Sequence, residues 1–191
     1  MSIFVEFSQK YKTPRQVQRF ISSLKYNESD SIQSAKRGLK SKCVHCLEGA
    51  FIAAAILEHR GYPPLVMSLE SLDNLDHVMF VFKEKGLWGA VAQSSDRGLR
   101  GRAPFYHSLK ALAMSYFDPY IDKTGCITAY QVANLNNIKA DWRSSDRNVK
   151  KAEDYLIKIR HIKIPYNKKR HHKFRDFCIA NKILARHKNW W

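Results

Sequence analysis

Residues Cys46 to Pro64 read CLEGAFIAAAILEHRGYPP, and this stretch constrains the fold more than any other. Its apolar core, Ala50 to Leu57, is far shorter than the ~20 residues a bilayer span needs, and it runs on into Glu58-His59-Arg60. It therefore reads as a helix buried in a protein core. Tyr62-Pro63-Pro64 ends it, because a proline lacks the N–H for the next turn and its ring clashes with the turn before.

The flanking segments alternate between helical and strand periodicity. Thr13 to Tyr26 opens with an N-capping Thr and Pro14 at the first helical position, and Val17, Phe20, Ile21 and Leu24 recur at helical spacing. Asn27 to Lys42 is polar, with a short helix expected over Ile32 to Leu39. After the Cys46 helix, Leu65 to Leu69 reads as a strand and Glu70 to Asp76 as a polar connection. His77 to Phe82 and Leu87 to Ala92 form a hairpin about the turn Lys83 to Gly86. Asp96 to Pro104 reads as a basic loop and Ser108 to Tyr116 as a helix. Within Phe117 to Asp141, Thr128 to Leu135 fits helix or strand. Helices are expected over Asn148 to Ile159 and from about Phe174 to Lys188. The expected organisation is a domain over residues 1–141 followed by a basic, mostly helical extension over 142–191.

The charge is concentrated in that extension. From Arg143 onward there are 15 Lys or Arg against 4 Asp or Glu, which is +11 of the chain's +16. Such a segment attracts polyanions, so an acidic protein or nucleic acid is one expected partner, with Lys168, Lys169, Arg170 and Lys173 as the contacts. The same charge could draw acidic substrates toward a cleft, or simply form a solvated face. The N-terminal residues lack the pattern of a secretory signal, and the four cysteines form no disulfide-rich framework. A reduced, cytoplasmic protein without a membrane span is expected.

Cys46 stands where polar sequence gives way to the buried helix. A helix N-terminus carries partial positive charge that favours a thiolate. His77 opens a strand, a rigid position for a base. Asp76, its neighbour, alternates to the other strand face. The helix with its Gly-x-Pro end, the His strand LDHVMFVFKEKGLWGAVAQ and the elements HCLEGA, PPL, WGA and LKALAMSYFDPY resemble the transglutaminase-like, papain-like superfamily, in particular an uncharacterised bacterial branch of it. The resemblance covers about Thr13 to Tyr120. It implies an α+β fold with the nucleophile helix packed on an antiparallel sheet. It also implies thiol chemistry on peptide or amide bonds, by hydrolysis or acyl transfer, with no cofactor and a protein or peptide substrate. In that register Cys46 is the nucleophile and His77 the base, while Glu48 and Trp88 are candidate substrate contacts. Glu48 also has a purely structural reading, complementing the helix dipole.

The third catalytic position departs from the family pattern. Counted from Trp88, the return strand offers Ala92 or Gln93 where an Asp is usual; the Gln93 amide could hold the imidazole, the nearest carboxylate is Asp96, and Ser94 or Ser95 would orient the ring more weakly. A chain with a degraded triad would instead be a binding module acting through its basic segment. Cys43-Val44-His45-Cys46 has the spacing of a zinc half-site or a redox pair, but no second CxxC or HxxxH accompanies it, so no metal is expected.

Overall fold

The computed structural model describes residues 2–74, 76–120, 126–165 and 168–181. Among these residues the protein is a mixed α+β structure in which seven α-helices surround one six-stranded antiparallel sheet. The helices are α1 (Ile3–Lys10), α2 (Pro14–Ser22), α3 (Ala35–Ser41), α4 (Cys46–Leu57), α5 (Leu109–Met114), α6 (Lys150–Lys158) and α7 (Lys168–Ala180). The strands are β1 (Leu65–Ser71), β2 (His77–Glu84), β3 (Leu87–Val91), β4 (Arg102–Tyr106), β5 (Ile127–Asn134) and β6 (Ile162–Lys163), in the spatial order β4-β3-β2-β1-β5-β6.

Strand alternation sorts the sheet residues into two cores. Val66, Val78, Phe80, Phe82 and Val91 face the layer built by α1 to α4 and α6. Met67, Leu69, Met79, Val81, Ala90 and Ala92 face the other way, onto Leu112, Ala113 and Tyr116 of α5 and the turn after it. Helix α4 lies at the centre of the first core, and every residue from Leu47 to Leu57 is buried. It continues into a 3-10 turn, Glu58–Arg60, and stops at Gly61, whose φ of 84° is the left-handed conformation that closes a helix. Helix α2 begins as its sequence predicts, with Thr13 and Gln16 exchanging the two hydrogen bonds of a capping box. The β2–β3 hairpin turns at Lys85 and Gly86, both at positive φ.

The structure differs from the sequence reading in two places and decides between the alternatives in a third. The basic stretch Asp96 to Pro104 is not all loop, because from Arg102 it enters the sheet as edge strand β4. Pro104 suits an edge, where a missing N–H breaks no inner ladder bond. Thr128 to Leu135 resolves as strand β5, paired along β1. Helix α7 starts at Lys168, inside the basic run, rather than near Phe174; the expected end of that helix beyond Asn181 lies outside the described residues. Of the segment after residue 141, Trp142, Val149, Ala152 and Leu156 belong to the α4 core, the Trp142 ring lying tilted with its centroid 5.8 Å from that of Phe51, and β6 extends the sheet. No helix among the described residues is long and apolar enough to cross a membrane.

Candidate active site

Cys46 is the first residue of α4, and the preceding His45 is its N-cap. The His45 Nδ1 accepts the Leu47 N–H at 3.2 Å, which leaves the ring proton on Nε2. Glu48 completes the cap from within. Its carboxylate is fully buried and accepts the N–H of His45 at 2.9 Å, the N–H of Gln33 at 2.7 Å and the Asn27 amide at 3.1 and 3.3 Å. These bonds tie the loop before α3 to the start of α4 and hold Cys46 in place. Glu48 is thus enclosed by the donors it satisfies, among them Asn27 and Gln33, and is not part of the lining of the cavity onto which Cys46 opens.

Cys46 opens onto a cavity of about 520 Å³ whose wall also includes Tyr26, His45, His77, Ser94, Asp96 and Tyr120. The cavity lies where β2 begins. His77, the first residue of that strand, projects with Met79 and Val81 toward the α5 side, with ring centroids 6.0 Å from Tyr116 and 6.4 Å from Tyr120. Helix α4 packs on the other face. The two groups therefore come from opposite faces of the sheet and share a cavity because the strand ends between them. Among the described residues no hydrogen bond joins the Cys46 sulfur to the imidazole.

Burial sets the protonation of both groups. It pushes the Cys46 thiol up, against the N–H groups of Val78, Leu47 and Cys46 itself, which act in the opposite sense. The expectation that the helix terminus would depress the thiol is thereby corrected: the helix-end N–H groups favour the thiolate, but desolvation outweighs them. Burial also pushes His77 down to about 4, aided by the Arg102 guanidinium and opposed by the Leu99 carbonyl. Thiol and imidazole are both neutral at pH 7.

The His77 ring is oriented by main chain. Its Nε2 lies 2.8 Å from the carbonyl oxygen of Leu99, which can only accept, so Nε2 carries the proton and Nδ1 is the basic nitrogen. Leu99 ends a 3-10 turn, Arg97–Leu99, capped by Asp96, whose Oδ1 accepts the Gly98 N–H at 2.6 Å. Arg102, fully buried, clamps this turn from behind. It donates to the carbonyls of Gly98 at 2.7 Å, Arg100 at 2.8 Å and Gly101 at 3.2 Å, and its guanidinium stacks 3.9 Å above the Tyr116 ring.

The other sequence candidates lie elsewhere. Gln93 does not reach the imidazole: its Nε2 donates to the carbonyls of Ile21 and Leu24, each at 3.0 Å, and its Oε1 accepts the Ser94 N–H. Its amide is used to join β3 to the end of α2. Asp96 lines the cavity but acts on the turn, and Ser94 Oγ accepts the Asp96 N–H. Trp88 lies outside the cavity, opposite Tyr106 on β4, with the Lys83 ammonium 5.5 Å from its ring. Lys168, Lys169 and Lys173 are exposed on α7, and Arg170 is in the same helix. The Cys43 Sγ donates to the Tyr26 carbonyl at 3.4 Å, and none of the four cysteines forms a disulfide. No group of three or more His, Cys, Asp or Glu side chains among the described residues is arranged to hold a metal ion. Leu99, Arg102, Tyr26 and Tyr120 are the participants that residue types alone did not announce.

No protein-family model matches the chain, and no curated protein matches it. Among solved structures, the fold overlaps that of LapG from Legionella pneumophila in its EGTA-treated form. The match has 11% sequence identity over 80% of this chain and 78% of that one, with a TM-score of 0.38, so the two folds coincide only loosely.

Proposed function

We propose that the chain is a thiol-dependent enzyme acting on peptide or amide carbonyls, with Cys46 as nucleophile and His77 as general base. The observation that carries this reading is the single cavity that both residues line, together with the Leu99 carbonyl that fixes the His77 proton on Nε2 and leaves Nδ1 basic. His77 takes the thiol proton, directly or through one water, as sulfur attacks the carbonyl carbon. It then returns that proton to the leaving nitrogen as the C–N bond breaks. Water or an amine resolves the resulting thioester. The Cys46 N–H, which makes no hydrogen bond to another described residue, is the donor for the oxyanion. The Leu99 carbonyl fills the role expected of a third side chain, because a fixed acceptor on Nε2 holds tautomer and ring orientation whatever group supplies it.

Alkylation by iodoacetamide tests the reading. Cys46 is expected to react faster than Cys126 and Cys178, with the rate at neutral pH reduced by His77→Ala while Cys43 is unaffected. A Cys46 rate indifferent to His77 removes the base from the mechanism.

One observation favours a second reading, a binding module. Helix α7 exposes Phe174, Phe177 and Ile179 among Lys168, Lys169 and Lys173, a mixture of cations and apolar groups suited to an acidic protein or nucleic acid. Polyanion binding whose salt dependence disappears on deleting residues 168–191, combined with four inert thiols, would favour it.

A further inference from the structure

The cavity carries the opposite sign from the molecule around it. The chain is +16 overall, yet its described lining includes Asp73, Asp76, Asp96 and Glu153 and no Lys or Arg. Asp76 and Asp96 are exposed at the mouth. Each commits Oδ1 to a backbone N–H, of Ser71 at 3.1 Å and Gly98 at 2.6 Å, so the carboxylates are held at fixed positions. Glu153 pairs at 3.0 Å with Lys150, an exposed cation outside the lining. Burial shifts the wall histidines, His45 and His77, toward the neutral form, so they add no compensating charge; it also pushes the Asp76 carboxyl up, against the Ser71 N–H that favours its ionised form.

Two further features point to a ligand rather than to a solvated acidic patch. His77, only 4% exposed, lines the cavity with its Nδ1 hydrogen-bonded to no described residue. Tyr26 and Tyr120 supply aromatic surface in the same wall, and ring faces attract ammonium and guanidinium groups. A concave site with protein walls concentrates the field of its carboxylates, so a cation is drawn in and an anion turned away despite the net charge of the chain.

We infer that this cavity selects an acyl substrate bearing a positive charge close to the reacting carbonyl, such as a Lys- or Arg-containing peptide segment, and discriminates against acidic ones. The inference rests on the reading of Cys46 as the reacting thiol. It reverses the simplest expectation from composition, in which a basic protein draws in acidic substrates.

Three small methanethiosulfonates that differ in charge test it on the full chain: the cationic trimethylammonium-ethyl reagent, the anionic sulfonatoethyl reagent and the neutral methyl reagent. Rates at each cysteine are read by mass spectrometry and normalised to a free thiol in solution. Cys43 is an internal control, since it lies beside Lys42 and its backbone bridges to Lys25. The cation-to-anion rate ratio at Cys46 is expected to exceed that at Cys43 by roughly tenfold or more at low salt, and to shrink as salt is raised. Asp76→Asn, Asp96→Asn and Glu153→Gln should each lower it, and each amide retains an oxygen acceptor. A ratio at Cys46 equal to or below that at Cys43 overturns the inference. The neutral reagent addresses the underlying reading separately: a rate at Cys46 that ignores His77→Ala sinks the catalytic role, while a large charge ratio would still identify a cation-selective cavity.

Discussion

The Nε2 of His77 lies 2.8 Å from the Leu99 carbonyl oxygen, so the orientation of a buried imidazole depends on one main-chain atom 22 positions further along the chain. A carbonyl has no other protonation state, and it holds the ring in one tautomer at every pH where His77 is neutral. Nitrogen-15 NMR of histidine-labelled protein should show His77 protonated on Nε2 and unprotonated on Nδ1 at pH 7. The same pattern is expected in Gln93→Ala, since among the described residues the Gln93 amide bonds Ile21, Leu24 and Ser94 and not His77. Loss of the Nε2–H signature in Gln93→Ala with the fold intact would contradict this arrangement.

Arg102 supports the Leu99 turn through three carbonyls at once, and a lysine cannot reproduce that fork. Arg102→Lys is expected to lower stability by about 2 kcal/mol or more, because buried acceptors lose their donors. It should also slow Cys46 alkylation at temperatures where the variant remains folded. Urea melts and alkylation rates measured side by side separate the two effects. An unchanged His77 tautomer and rate would restrict Arg102 to stability alone.

Glu48 makes a contrasting prediction, since its carboxylate is enclosed by the donors it satisfies. Glu48→Ala strands the N–H groups of Gln33 and His45 and the Asn27 amide, and is expected to cost about 3 kcal/mol or more. Were Glu48 a substrate contact, the same change would alter ligand binding with little effect on the denaturation midpoint.

Much of the fold was legible in the sequence because the relevant signals are local. The Cys46 helix, its Gly61 stop, the Thr13 cap and the Lys85-Gly86 hairpin each follow from residues within a few positions. Strand β4 was not legible, because Arg102-Ala-Pro-Phe-Tyr carries a buried arginine and a proline, and both argue against a strand when burial is unknown. The candidate site divides in the same way. Cys46 and His77 have chemically distinctive side chains, and both line one cavity. The orienting group is a leucine carbonyl, and a main-chain oxygen leaves no mark on residue type. Gln93 occupied the expected register, but its amide is used by α2, a partner seventy positions away that no local pattern reveals.

Acid stability provides the last test, and its sign follows from the His77 environment. The unfolded imidazole takes its proton near 6.5, whereas burial in the folded state holds it back to about 4. Between those values the unfolded chain binds more protons, so folding stability increases with pH through the window. The contribution is complete above about 6.5 and is lost as pH falls through 4, with a span of ~3 kcal/mol for this 4%-exposed group. Urea midpoints of the wild type should therefore decline from pH 7 to pH 4 more steeply than those of His77→Gln, whose amide nitrogen matches the imidazole Nε2 in reach and so keeps a donor for Leu99, and which lacks the titrating ring. The pH–rate profile of Cys46 should share the same origin, with its acid limb near pH 4 rather than near 6.5. Parallel stability slopes in the two proteins, with an acid limb near 6.5, would mean that His77 is solvated in the folded protein.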